Sequence, residues 1–238
     1  MRHSFSDSPH VLLTGATGGI GQATAEAFLR AGARLSLVAR SGDALDALAQ
    51  RLGRNLSVAA ADVTDRSQLA VALTELRKVN GPVDILVNNA GVGNYDHFHE
   101  MEPPLIEQLL RVNLEGAINL SHLVLPEMQE RAQGTMIHVA SNLGHRPLPF
   151  TPVYSAAKAG LIRFSEAIAK DYGKAGIRSM VVSPAKVDTR FGGRSVQGPQ
   201  DTSMLQPEDV ADAILYCAAT PPNVVVLEMV VVPREGAF

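Results

Sequence analysis

Short, continuously apolar runs recur along this chain, each followed by a stretch with helical periodicity. VLL (11–13) leads into a glycine loop, after which Ile20, Ala23, Thr24, Ala27, Phe28 and Ala31 repeat at three and four until Gly32. LSLVA (35–39), LSVAAAD (56–62), DILVNNAG (84–91), TMIHVAS (135–141), RSMVVSP (178–184) and NVVVLEMVVV (223–232) read as strands. Helical patterns fall between them, at Asp43–Leu52, from about Ser67 to Val79, from Leu105 through Met128, at 156–172 and at Pro207–Ala219. Strands that are apolar at every position must be covered on both faces, which argues for a parallel sheet with helices on each side. The expected fold is therefore α/β and doubly wound, with right-handed crossovers. Ligands in such sheets bind beyond the carboxyl ends of the strands, near the switch in strand order.

With 238 residues, 46% of them apolar, one large domain spanning 1–238 accounts for the chain. Residues 1–9 form a polar extension, and 190–206 lack a strong apolar pattern and read as a mobile loop at the substrate site. No apolar run is long enough for a membrane span or a signal core. One cysteine, Cys217, excludes an intrachain disulfide and suits a reducing, cytoplasmic setting. A net charge of −3 calls for neither nucleic acid nor an acidic membrane surface. His97 and His99 lack a nearby third ligand, so no metal is expected.

The loop after the first strand is TGATGGIG, Thr14 to Gly21. Gly15, Gly19 and Gly21 let backbone approach a pyrophosphate and let helix approach strand, and the helix N-terminus offers free N–H groups. An acid about 20 residues on would favour NAD, but the second strand ends in Ala39-Arg40-Ser41. A guanidinium there suits a 2′-phosphate, so NADP is expected over NAD.

Tyr154 and Lys158 lie four apart in a helical pattern, hence on one face. A free phenol has a pKa of about 10, and a nearby ammonium favours the phenolate. Ser141 ends a strand 13 residues earlier and can hold a substrate oxygen as charge develops on it. Such a set suits hydride transfer to or from a carbinol carbon, with Tyr154 moving the proton. The order TGATGGIG, DV (62–63), NNAG (88–91), VNLEG (112–116), VAS (139–141), YSAAK (154–158) and PAKVDT (184–189) resembles the short-chain dehydrogenase/reductase family from Val11 to about Pro233.

The resemblance implies a Rossmann-type, NADP-preferring oxidoreductase acting on CH–OH or C=O, with Asn113, Ser141, Tyr154 and Lys158 as catalytic residues. Lys158 would also hold the nicotinamide ribose, and Asn113 would anchor a water linking Lys158 to solvent. The cofactor would lie on Gly15, Thr17, Gly18, Gly19, Ile20, Gly21, Arg40, Ser41, Asp62, Val63, Asn89, Ala90, Gly91, Tyr154, Lys158, Pro184, Ala185, Val187 and Thr189. Relatives pair through the helices holding Asn113 and Tyr154, so a homodimer or homotetramer is expected. Two departures stand out. Ala185 replaces the usual glycine, so its Cβ would press toward the nicotinamide or shift the loop's backbone, and Thr17 stands where NADP-preferring members carry Arg or Lys.

Substrate contacts are expected from Ser141, Leu143, Arg146 and Tyr154, within walls formed by Gly93–Tyr95, Leu143–Pro149 and the 185–205 loop. Arg146, Lys186, Arg190 and Arg194 either bind a substrate carboxylate or phosphate or stand in solvent as loop charges. The substrate itself is not named by the residues. A 3-oxoacyl thioester reductase and a catalytically silent NADP-binding sensor or scaffold are the alternatives.

Overall fold

The computed structural model describes residue 5, residues 7–53, 56–193, 196 and 202–235. Seven strands form one sheet: β1 (His10–Thr14), β2 (Arg34–Ala39), β3 (Leu56–Ala60), β4 (Ile85–Asn88), β5 (Gly134–Val139), β6 (Ile177–Pro184) and β7 (Glu228–Val231). All neighbours are parallel, in the order β3-β2-β1-β4-β5-β6-β7. Strand order reverses between β1 and β4, so the crevice lies above that seam.

The alternation of side chains explains why every strand position is apolar. In β1, Val11 and Leu13 join the core under α1 (Gly19–Arg30), α2 (Gly42–Leu52) and α7 (Pro207–Ala218). Leu12 faces the other way, into the core of α3 (Arg66–Asn80) and α5 (Gly116–Glu130). Ile85 and Val87 against Leu86 in β4, and Ile137 and Val139 against Met136 in β5, repeat the division. A single-sided sheet would have left half of these residues in water.

Helix ends follow local chemistry. Asp65 caps α3, its carboxylate accepting from the N–H groups of Ser67 and Gln68. Gly81, with φ 77°, terminates it. The helix expected from Leu105 is three pieces: α4 (Pro103–Leu110), a π segment (Arg111–Glu115) and α5. The helix expected at 156–172 begins earlier, at Pro152, so that Tyr154 sits in the first turn of α6 (Pro152–Tyr172). The last strand, Glu228–Val231, is shorter than its apolar run, with Leu227 adding only a carbonyl that accepts from Val181 N.

Of the expected 190–206 loop, residues 194, 195 and 197–201 lie outside the described residues. Its two ends are tied, by a short turn at Phe191–Gly193 and by a bridge from Val187 to Leu205. Much of the expected 1–9 extension, residues 1–4 and 6, also lies outside. No described helix is long and apolar enough to cross a membrane.

Candidate active site

A cleft of about 1060 Å³ opens above the β1/β4 seam. One side is the glycine loop. Gly15 takes φ 64°, and a Cβ there would stand 2.8 Å from the Ala90 Cα. A Cβ on Gly19 would meet the Thr189 methyl at 2.6 Å, and one on Gly21 would overlap the Gly15 carbonyl oxygen. No side chain caps the N-terminus of α1, which starts at Gly18-Gly19. Thr17, Gly18, Gly19, Ile20 and Gly21 line the cleft there. Bare N–H groups beside a surface stripped of side chains fit a pyrophosphate.

β4 is sewn to this loop. Thr14 Oγ1 accepts from the N–H groups of Asn89 and Ala90, each at 3.1 Å, and Asn89 Nδ2 donates to the Thr14 and Gly15 carbonyls at 3.0 and 3.2 Å. Asp62 and Val63 line the far end, where the Asp62 carboxylate accepts from Thr64 N and Oγ1, both at 2.8 Å. Arg40 lines the same end, exposed, with no hydrogen bond or ion pair to another described residue. Ser41 lies outside the lining, and its oxygen caps α2 by accepting from Ala44 N at 3.3 Å.

Four expected catalytic residues converge near the cleft floor, all of them buried. Ser141 follows β5; its hydroxyl oxygen accepts from Leu143 N at 3.2 Å and lies 3.4 Å from Asn142 Oδ1 and 3.5 Å from the Pro184 carbonyl. Tyr154 and Lys158 stack one turn apart on α6, with Nζ 5.7 Å from the phenol ring centroid. Lys158 donates to the Val139 carbonyl at 2.9 Å. Burial lowers this ammonium to about 8, with no carboxylate paired to it among the described residues. Below it lies His138, pushed down to about 3 first by burial and then by the Lys158 charge. His138 Nδ1 faces Asn88 Nδ2 at 3.2 Å, which assigns the ring proton to Nε2; that atom has no partner among the described residues.

Asn113 also holds neighbouring backbone. It sits in the π segment, outside the cleft lining. Both Nδ2 hydrogens are taken, by the Val92 carbonyl at 2.8 Å and the Leu109 carbonyl at 2.9 Å, while Oδ1 accepts from Val92 N at 3.2 Å. The side chain thereby fixes the backbone just beyond Gly91.

Pro184, Ala185, Val187 and Thr189 line the cleft beside Ser141. Ala185 continues the ladder, its N–H donating to the Val231 carbonyl at 2.8 Å, and its φ is not positive. Leu143 lines the substrate side with Val92, Tyr95, Leu148, Phe191 and Val196. Arg146 does not: it is exposed and turned away from the lining. Lys186 and Arg190 reach the cleft, and Arg194 lies outside the described residues. No cluster of three metal-ligating side chains occurs among the described residues. His138, the Val139 carbonyl and Phe191 went unmarked in the sequence. A lone histidine within an apolar strand run was the available signal for the first.

The short chain dehydrogenase family model matches residues 9–200. This chain belongs to the short-chain dehydrogenase/reductase family, and it is an oxidoreductase acting on CH–OH and C=O groups. It is 30% identical, over 93% of its length and 96% of the relative's, to an uncharacterized oxidoreductase of Staphylococcus aureus (strain N315). Among solved structures, the closed form of serine dehydrogenase complexed with NADP+ superposes with a TM-score of 0.90 at 30% identity, covering 96% of each chain. The 3-ketoacyl-(acyl-carrier-protein) reductase of Brucella melitensis complexed with NADH gives 0.88 at 25% identity, over 96% of this chain and 98% of that one.

Proposed function

We propose that this protein is an NADP(H)-dependent reductase of a small carbonyl compound, or dehydrogenase of the matching secondary alcohol, with Tyr154 as general acid and base. The observation that carries the reading is Lys158, buried without a carboxylate partner among the described residues and stacked one turn from the Tyr154 ring. An isolated buried ammonium is costly, and a fold keeps one where its charge is used. The bound nicotinamide supplies or accepts the hydride. Ser141, whose hydroxyl hydrogen reaches only the 3.4 and 3.5 Å acceptors among the described residues, holds the substrate oxygen. Tyr154 gives that oxygen its proton, and the Lys158 charge stabilises the phenolate left behind. His138 stays neutral, so it does not compete for that role.

NADP preference rests on Arg40, a guanidinium without a partner among the described residues, at the end of the cleft where Asp62 and Val63 lie. Structurally similar proteins are seen with NADP+ and with NADH, and Arg40 is the residue on which the choice between them would turn here. Arg40→Ala should weaken NADPH by about 1.5–3 kcal/mol while leaving NADH nearly unchanged. Equal affinity of the native protein for the two cofactors would refute the assignment. NADPH oxidation with a panel of ketones, 3-oxo acids and quinones tests the activity itself, and binding without any turnover would favour a silent sensor. The buried Cys217 thiol, pushed up to about 11 by burial, suits a cytoplasmic protein.

A further inference from the structure

Two loops lock together over Tyr154. Phe191 lays its ring edge-on to the Tyr154 ring, with centroids 5.9 Å apart and planes at 62°. The same ring fills a notch at Gly93, where a Cβ would lie no more than 3.0 Å from Cε1, Cδ1 and Cζ of Phe191. One residue on, Gly192 adopts φ 65° and passes so close to Tyr95 that a Cβ would stand 2.7 Å from Cε2. Ring enters glycine notch in one direction, and glycine passes ring in the other. The 91–95 and 191–193 segments thereby form a clasp roofing the catalytic tyrosine.

The clasp makes the space around a bound carbonyl unequal. Edge-on rings at this separation are already in contact, so nothing enters between Phe191 and Tyr154. A substituent pointing toward Phe191 has room only at the scale of a hydrogen or a methyl group. The remaining apolar wall comes from other segments, Leu143 and Leu148 after Ser141 and Val196 beyond the clasp. Leu148 and Val196 are 62% and 55% exposed, apolar surface that a substrate chain would cover. We propose that the substrates are aldehydes and methyl ketones carrying an apolar chain, and that Phe191, seated on Gly93, is the specificity-determining residue that limits the small side. The proposal rests on the carbonyl-reductase reading above.

The test compares NADPH-dependent reduction of 2-octanone and 3-octanone, which differ only in the carbon that bears oxygen. The native enzyme should favour 2-octanone in kcat/KM by about tenfold or more, the scale one methylene sets in a closed pocket. Phe191→Ala should bring the two within about threefold, chiefly by raising 3-octanone. Equal use of both ketones by the native enzyme, or an unchanged ratio in the variant, overturns the proposal. A second measurement needs no activity. Gly93→Ala should lower the Tm of the native protein, because its Cβ displaces the ring, and should cost little in the Phe191→Ala background. Additive shifts overturn the clasp alone. Failure to reduce octanal or either ketone, alongside turnover of some other carbonyl, overturns the substrate class. Failure with every carbonyl, alongside intact NADPH binding, overturns the underlying reading as well.

Discussion

Replacing Lys158 by methionine should change stability in a way that depends on pH. The ammonium is held at about 8 rather than 10.5 because burial strips its water and no carboxylate compensates. Keeping it charged in the fold therefore costs about 3 kcal/mol at neutral pH. The folded value lies below the unfolded one, so this penalty is complete below pH 8 and fades as pH rises from 8 to 10.5. Methionine has similar length and no charge, but it leaves the Val139 carbonyl without its donor, at about 1–3 kcal/mol irrespective of pH. The absolute difference between variant and native protein mixes both effects, whereas its pH dependence isolates the charge. Urea unfolding of both proteins at pH 7, 8, 9 and 10, without cofactor, measures it. The variant's relative stability should fall by about 2–3 kcal/mol from pH 7 to pH 10. A difference independent of pH would refute the reasoning, because Lys158 would then be solvated or paired.

Tyr154→Phe should bind NADPH with unchanged affinity by cofactor fluorescence, while turnover falls at least about a hundredfold; retention of most activity would move the chemistry elsewhere. A 3-oxo acid and its methyl ester should be told apart by KM in favour of the ester, since Arg146 lies off the cleft. A lower KM for the acid that Lys186→Ala or Arg190→Ala erases would restore charge recognition. Pairing through α5 and α6 should give a dimer or tetramer in light scattering, and a lone 25 kDa species at micromolar concentration would exclude it.

The layered architecture was legible because every strand carries apolar residues on both faces, a pattern only a doubly covered sheet satisfies. The placement of Tyr154 and Lys158 on one helical face, and of Ser141 at a strand end, was legible from spacing, whereas their catalytic roles came from the family resemblance. The π segment at Asn113 was not. It arises because an amide at one position reaches the backbone at Val92, a tertiary contact 21 residues away that local periodicity does not carry. Arg146 failed for a related reason. Loop membership places a residue near a cleft, but only the turn at Asn142–Gly144 decides which way the next side chains face. The Phe191–Gly93 pairing was likewise invisible, because a glycine reveals that space is needed and not which ring will use it.

Thr14 and Ala90 meet across 76 positions of chain, and that seam has a consequence for how the protein comes into being. During synthesis the glycine loop emerges early, attached to β1 and α1. Its floor is missing until β4 has been made, returned past two strands and hydrogen-bonded beside β1. Lys158 arrives later still, about 70 residues after β4. Nascent or truncated chains that hold every phosphate-facing glycine thus have nowhere to dock a dinucleotide, and long-range parallel pairing of this kind forms slowly. Ligand capture reports a completed molecule: added cofactor should rescue full-length chains that unfold transiently, and should do nothing for fragments ending before β5.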